Sequence, residues 1–85
     1  LNISYNFSEP GFVATVIIYD AKGRLVRTLI QNELLGGSGT FSWDGINERN
    51  EKARIGIYII FVEAFSAEGN VKSFKKTAVL AGYFN

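Results

Sequence analysis

Apolar and polar residues alternate from the start of the chain. Ile3, Tyr5 and Phe7 fall between Asn2, Ser4, Asn6 and Ser8. A period of two with one apolar face predicts a half-buried β-strand. Glu9-Pro10-Gly11 follows, where proline presets one turn residue and glycine accepts positive φ. A second strand is predicted over Phe12 to Tyr19. Its Ala14, Val16, Ile18 face is wholly apolar, and its Thr15, Ile17, Tyr19 face is mixed. Asp20-Ala21-Lys22-Gly23 has the aspartate and glycine of a type I turn, so Leu25 to Ile30 should fold back as an antiparallel partner.

Gln31 to Gly39 reads as a flexible connection between two sheets, because Gly36-Gly37-Ser38-Gly39 disfavours any regular element. Asn32 to Leu35 has room for one helical turn at most. A phosphate-cradling reading of the glycines lacks the following Lys-Ser/Thr and a helix start. Thr40 to Trp43 is a short strand with Phe41 and Trp43 on one face. Asp44-Gly45 ends it, and the polar stretch Ile46 to Arg54 reads as a solvent loop. Arg54 to Ser66 holds one long strand, Ala67-Glu68-Gly69-Asn70 turns the chain, and Val71 to Leu80 is the last strand. No amphipathic helical period extends beyond two turns. Turn signals every 8–12 residues or so predict an all-β fold, an antiparallel β-sandwich of about seven strands.

The bulk numbers narrow the class. Eighty-five residues allow a single domain with a thin core, spanning 1–85. The chain opens in strand alternation without an initiator Met, which suggests a fragment of a larger protein. Twelve Phe, Trp and Tyr residues suit a small sandwich that must gain its packing from few side chains. A net charge of +1 argues against nucleic acid or an anionic membrane as partner. The densest basic spot, Lys72, Lys75 and Lys76, fits an edge strand guarded by charge. The chain has no cysteine and no histidine. Disulfides, thiol chemistry and the usual general base are therefore absent. No membrane span is expected, since the longest apolar run, Ile55 to Val62, is far shorter than the ~20 residues needed.

Several motifs occur in a fixed order. Ile18-Tyr19-Asp20 precedes Gly23-Arg24-Leu25-Val26-Arg27-Thr28-Leu29, then come Trp43-Asp44-Gly45, Gly56-Ile57-Tyr58 and Glu63-Ala64. In this order the sequence resembles the immunoglobulin-like domain family of the flagellar hook-capping protein FlgD, from about Ile3 to Leu80. The resemblance implies an Ig-like sandwich in which Tyr19, Asp20, Gly23, Trp43, Asp44, Gly45, Gly56 and Tyr58 are structural. It implies no catalytic residues and no cofactor. It further implies a module at the end of a secreted or cell-surface bacterial protein, serving assembly, spacing or attachment. The Tyr-Asp-x-x-Gly hairpin and the Gly-x-Tyr strand are also similar to the C-terminal sorting domains of type IX secretion.

One departure from the family pattern is informative. The strand after Gly56 is apolar on both faces: Tyr58, Ile60, Val62 and Ala64 on one, and Ile57, Ile59, Phe61 and Phe65 beside Glu63 on the other. A two-layer sandwich has one core, so the second face lacks a covering layer. Ile17, Ile57, Ile59, Phe61 and Phe65 are therefore the candidate interaction face. It would meet a neighbouring domain of the parent protein or a protein partner. The bland alternative is local cover by long side chains such as Lys75.

Other sites are weaker. Trp43 would stack on a sugar only if exposed beside Tyr19 or Tyr83; otherwise it anchors the core. Asp44 with Asn47, Glu48 and Asn50 lacks the alternating pattern of a calcium loop, and Asp44 more simply bonds its own turn. Three functions are thus in view: a non-catalytic structural or docking module, monomeric as an isolated domain; a sorting domain; and a carbohydrate-binding module.

Overall fold

The computed structural model describes residues 1–81. Six strands occur in the order β1 (Asn2–Asn6), β2 (Phe12–Asp20), β3 (Leu25–Leu35), β4 (Ser38–Ser42), β5 (Gly56–Ser66) and β6 (Val71–Leu80). They form a two-stranded sheet, β1-β4, packed on a four-stranded sheet ordered β3-β2-β5-β6. Every pairing is antiparallel. The described residues contain no helix.

The core lies between the sheets and is built by strand alternation. Phe12, Ala14, Val16 and Ile18 of β2 and Ile60, Val62 and Ala64 of β5 are fully buried. The register sets Ala14 opposite Ala64 and Val16 opposite Val62, so small and branched residues pair across the strands. The smaller sheet supplies Ile3, Phe7 and Phe41, and Trp43 follows directly on β4. Phe7 meets Phe12 at 5.2 Å and Trp43 meets Tyr58 edge-on at 5.2 Å, which joins the layers at both ends of the sandwich. Tilted and edge-on rings are the arrangement that aromatic quadrupoles favour.

Six strands are present where about seven were expected, and the segment read as a flexible connection is largely strand. β3 continues through Asn32 and Glu33 to Leu35, so the anticipated helical turn is strand, and β4 starts at Ser38. Two glycines, Gly36 and Gly37, carry the chain from one sheet to the other. At Gly39 a side chain would displace the Tyr5 ring, because a Cβ there would lie 2.6 Å from the Tyr5 hydroxyl oxygen. Tyr5 is the register partner of Gly39 and stacks on Phe41 at 4.6 Å. An aromatic ring laid over a cross-strand glycine restores the packing that glycine lacks.

β3 is also more irregular than its sequence suggests. Eleven residues, Leu25 to Leu35, oppose only the eight from Phe12 to Tyr19, with shifts in register at three points. At one of them Gln31 and Asn32 face the single residue Thr15. Asn32 takes φ 52°, its N–H donates to the Thr15 hydroxyl at 3.3 Å, and that hydroxyl donates back to Asn32 Oδ1 at 3.4 Å. Asparagine tolerates the left-handed region through such local bonds. Each extra residue reverses which side chains face inward, so β3 shows no clean alternation of burial.

The stretch Ile46 to Arg54 is an ordered loop. Ile46 and Lys52 form an antiparallel bridge. Asn47 Oδ1 accepts the N–H groups of Arg49 and Glu51. Glu48 docks the loop on the outer edge of β3: its N–H donates to Val26 O at 2.9 Å, and its Oε1 accepts the Thr28 N–H at 2.6 Å.

Candidate functional site

The candidate face lies on the side of the four-stranded sheet away from the core. Its positions follow from the period of the strands: residues of β5 that flank the buried Tyr58, Ile60, Val62 and Ala64 must point the other way. Register then brings the predicted residues together. Ile17 of β2 sits opposite Phe61, and Tyr19 sits opposite Ile59. Ile17, Ile59 and Phe61 are half-buried, while Ile57 is 54% and Phe65 48% exposed. Lys75 is the cross-strand partner of Phe61 on β6.

The stripe is wider than its five predicted members. Val13 and Val71 flank Phe65 from the two neighbouring strands, Val79 lies opposite Ile57, and Leu34 lies opposite Val13. Leu34, Val71 and Val79 are each about two-thirds exposed or more. These residues could not be found before the register was known. Val71 and Val79 share the parity of Lys75, with Ser73 and Thr77 between them, so this face does not read as apolar in sequence. Leu34 is separated from the rest of β3 by the bulges. Across β5 and β6 the only charges on this side are Glu63 and Lys75.

The motif residues sit at the ends of the sheets and hold turns. Asp20 Oδ1 accepts the N–H groups of Lys22 and Arg24, and its Oδ2 pairs with Arg24 Nε at 2.8 Å. The Arg24 backbone N–H contributes most to holding the Asp20 carboxyl below its ordinary value of 3.8. The Arg24 side chain and the Lys22 N–H add to this and outweigh the opposing effect of desolvation. Gly23 takes φ 82° at the end of this turn, a conformation open to glycine at no steric cost.

Trp43 is 1% exposed, and its Nε1–H donates to Ile46 O at 3.0 Å. No sugar ring can reach a face buried in this way, so the carbohydrate reading loses its platform. Tyr83, its possible companion, lies outside the described residues. Asp44 Oδ1 accepts the Ile46 N–H at 3.0 Å, so it caps its own turn. Among the described residues no group of three acidic side chains is placed to hold a metal ion. Tyr58 is buried, and its hydroxyl donates to Arg54 O at 2.6 Å. A tyrosine near the start of a strand, bonded to backbone four residues upstream, is the corner device of Ig-like sandwiches.

No curated protein and no solved structure matches the chain. The family model described as the FlgD Ig-like domain matches residues 1–68. That span takes in the Tyr19-Asp20 hairpin, the Trp43-Asp44-Gly45 turn and the Gly56-Ile57-Tyr58 corner, and the chain belongs to the FlgD Ig-like domain family.

Proposed function

We propose that this chain is a non-catalytic docking module of a larger bacterial protein that is exported to the cell surface or beyond it. The outer apolar stripe carries the reading. Four strands spaced ~4.8 Å apart and about 35 Å long present a face of roughly 600–700 Å². That is close to the ~800 Å² each partner contributes to a standard interface. The apolar stripe covers part of that face, and contiguous apolar patches of more than a few hundred Å² mark interaction surfaces on soluble proteins. The occupant is a neighbouring domain of the parent protein or a partner protein, laid against Ile17, Ile59 and Phe61 with Ile57 and Phe65 at the ends. Membership of a family found in flagellar-hook-related proteins, whose Ig-like domains are generally non-catalytic, supports assembly or attachment over turnover.

The test is Phe61→Lys in the full-length parent. A lysine at the centre of the stripe places a charge in the interface, which is expected to weaken association at least about ten-fold. Near-UV circular dichroism of Trp43 checks that the fold survives. Undiminished association of a folded variant refutes the docking face.

A further inference from the structure

A groove of about 1100 Å³ opens at one end of the sandwich, between the β2–β3 turn and the loop that joins β4 to β5. Five of the nine basic residues line it: Lys22, Arg24, Arg49, Lys52 and Arg54. Three acids, Asp20, Glu48 and Glu51, line it too. Two of those acids are already engaged. Asp20 is held by Arg24 and by two backbone N–H groups, and Glu48 accepts the Thr28 N–H. Among the described residues the Arg24–Asp20 contact is the only ion pair. Lys22, Arg49, Lys52 and Arg54 therefore line the groove beside two carboxylates, Glu48 and Glu51, which leaves a positive excess there. The near-neutral total charge conceals this, since the positive excess is gathered at one end.

The same groove holds three large aliphatic side chains that water reaches. Leu25 is 57%, Ile55 69% and Ile57 54% exposed. The backbone that carries three of its cations is also ordered. The Asn47 side chain ties down Arg49 and Glu51, Ala53 N–H donates to Gly45 O, and Lys52 is bridged to Ile46. A site ordered in advance loses less entropy when it binds.

From these features we propose that the groove binds an extended acidic peptide segment whose carboxylates alternate with aliphatic side chains. The carboxylates face Lys22, Arg49, Lys52 and Arg54, and the aliphatic residues rest on Leu25, Ile55 and Ile57. An extended strand presents its side chains with a period of two, which suits a groove lined by both basic and aliphatic residues. Nucleic acid fits less well. Among the described residues the groove offers no exposed aromatic ring for a base to stack on, and Glu48 and Glu51 oppose a phosphate chain. This surface is separate from the outer stripe, although Ile57 borders both.

The test uses the whole chain and a fluorescein-labelled heptapeptide alternating glutamate and leucine, followed by fluorescence anisotropy. Binding is expected to weaken as salt rises. The double variant Lys52→Glu/Arg54→Glu should lose about ten-fold in affinity, on the scale of two exposed ion pairs. Ile55→Ser and replacement of the peptide leucines by glycine should each weaken binding, whereas Phe61→Lys should leave it unchanged and so separates this groove from the stripe. All three protein variants are altered away from the core, and Trp43 circular dichroism checks each fold. The proposal is overturned if the wild-type chain does not bind the peptide or if the charge-reversed variant binds equally well. It is also overturned if a leucine-free peptide is equivalent, or if a single-stranded oligonucleotide binds more tightly than the peptide.

Discussion

Tyr58 does two things with one side chain. Its ring closes the core against Trp43, and its hydroxyl holds the Arg54 carbonyl where the loop turns into β5. Phenylalanine preserves the ring and removes the bond. Tyr58→Phe should therefore lower stability by about 1 kcal/mol, read as a shift of the urea midpoint with the denaturant slope unchanged. Individual roles of this kind were largely legible in the sequence. Trp43 and Tyr58 stand where apolar runs meet turn residues, which marks core anchors. Asp20 and Asp44 precede short turns, and both cap them. The partners were less legible, because a hydroxyl reaching Arg54 O or an indole reaching Ile46 O depends on the path of the loop.

Among the elements, β3 departs furthest from its sequence. Its burial does not alternate along its length because bulges reverse its faces, and neither Asn32 at positive φ nor its bonds to Thr15 leave a trace in periodicity. The loop after β4 is the complementary surprise. Its polar residues suggest solvent, yet Glu48 supplies a donor and an acceptor to the backbone of β3, at Val26 and Thr28. An edge strand with open amides is a template for unwanted pairing, and this loop occupies that edge over two residues. Glu48→Ala keeps the backbone contact and removes the carboxylate. The Thr28 amide should then exchange with solvent about ten-fold faster in native-state hydrogen exchange, in line with a lost bond worth about 1 kcal/mol. Amides of β5 should be unaffected.

For the molecule as a whole, a two-stranded layer covers a four-stranded one, and each exposed boundary is treated differently. The edge of β3 is bulged and capped. β6 pairs only with β5 among the described residues and carries Lys72, Lys75 and Lys76. Lys72 turns inward, donating to Phe7 O at 3.0 Å and lying over the Phe12 ring. Lys75 and Lys76 remain exposed. Replacing both with threonine leaves Ser73 to Leu80 uncharged, and the variant should self-associate at concentrations where the wild-type chain does not, as measured by light scattering after size exclusion. The sandwich and the two-faced character of β5 followed from alternation and turn spacing. The width of the outer stripe and the charged groove did not, since both are assembled from strands and loops distant in sequence. One further property comes from the Trp43-Asp44-Gly45 turn. The Leu1 amino group donates to Trp43 O, and Leu80 lies within 3.5–3.6 Å of the position a Gly45 Cβ would take. Leu1 and Leu80 thus flank the same turn. Tension applied between them would peel β1 from β4 and β6 from β5 one bonded pair at a time, rather than shear whole strands at once.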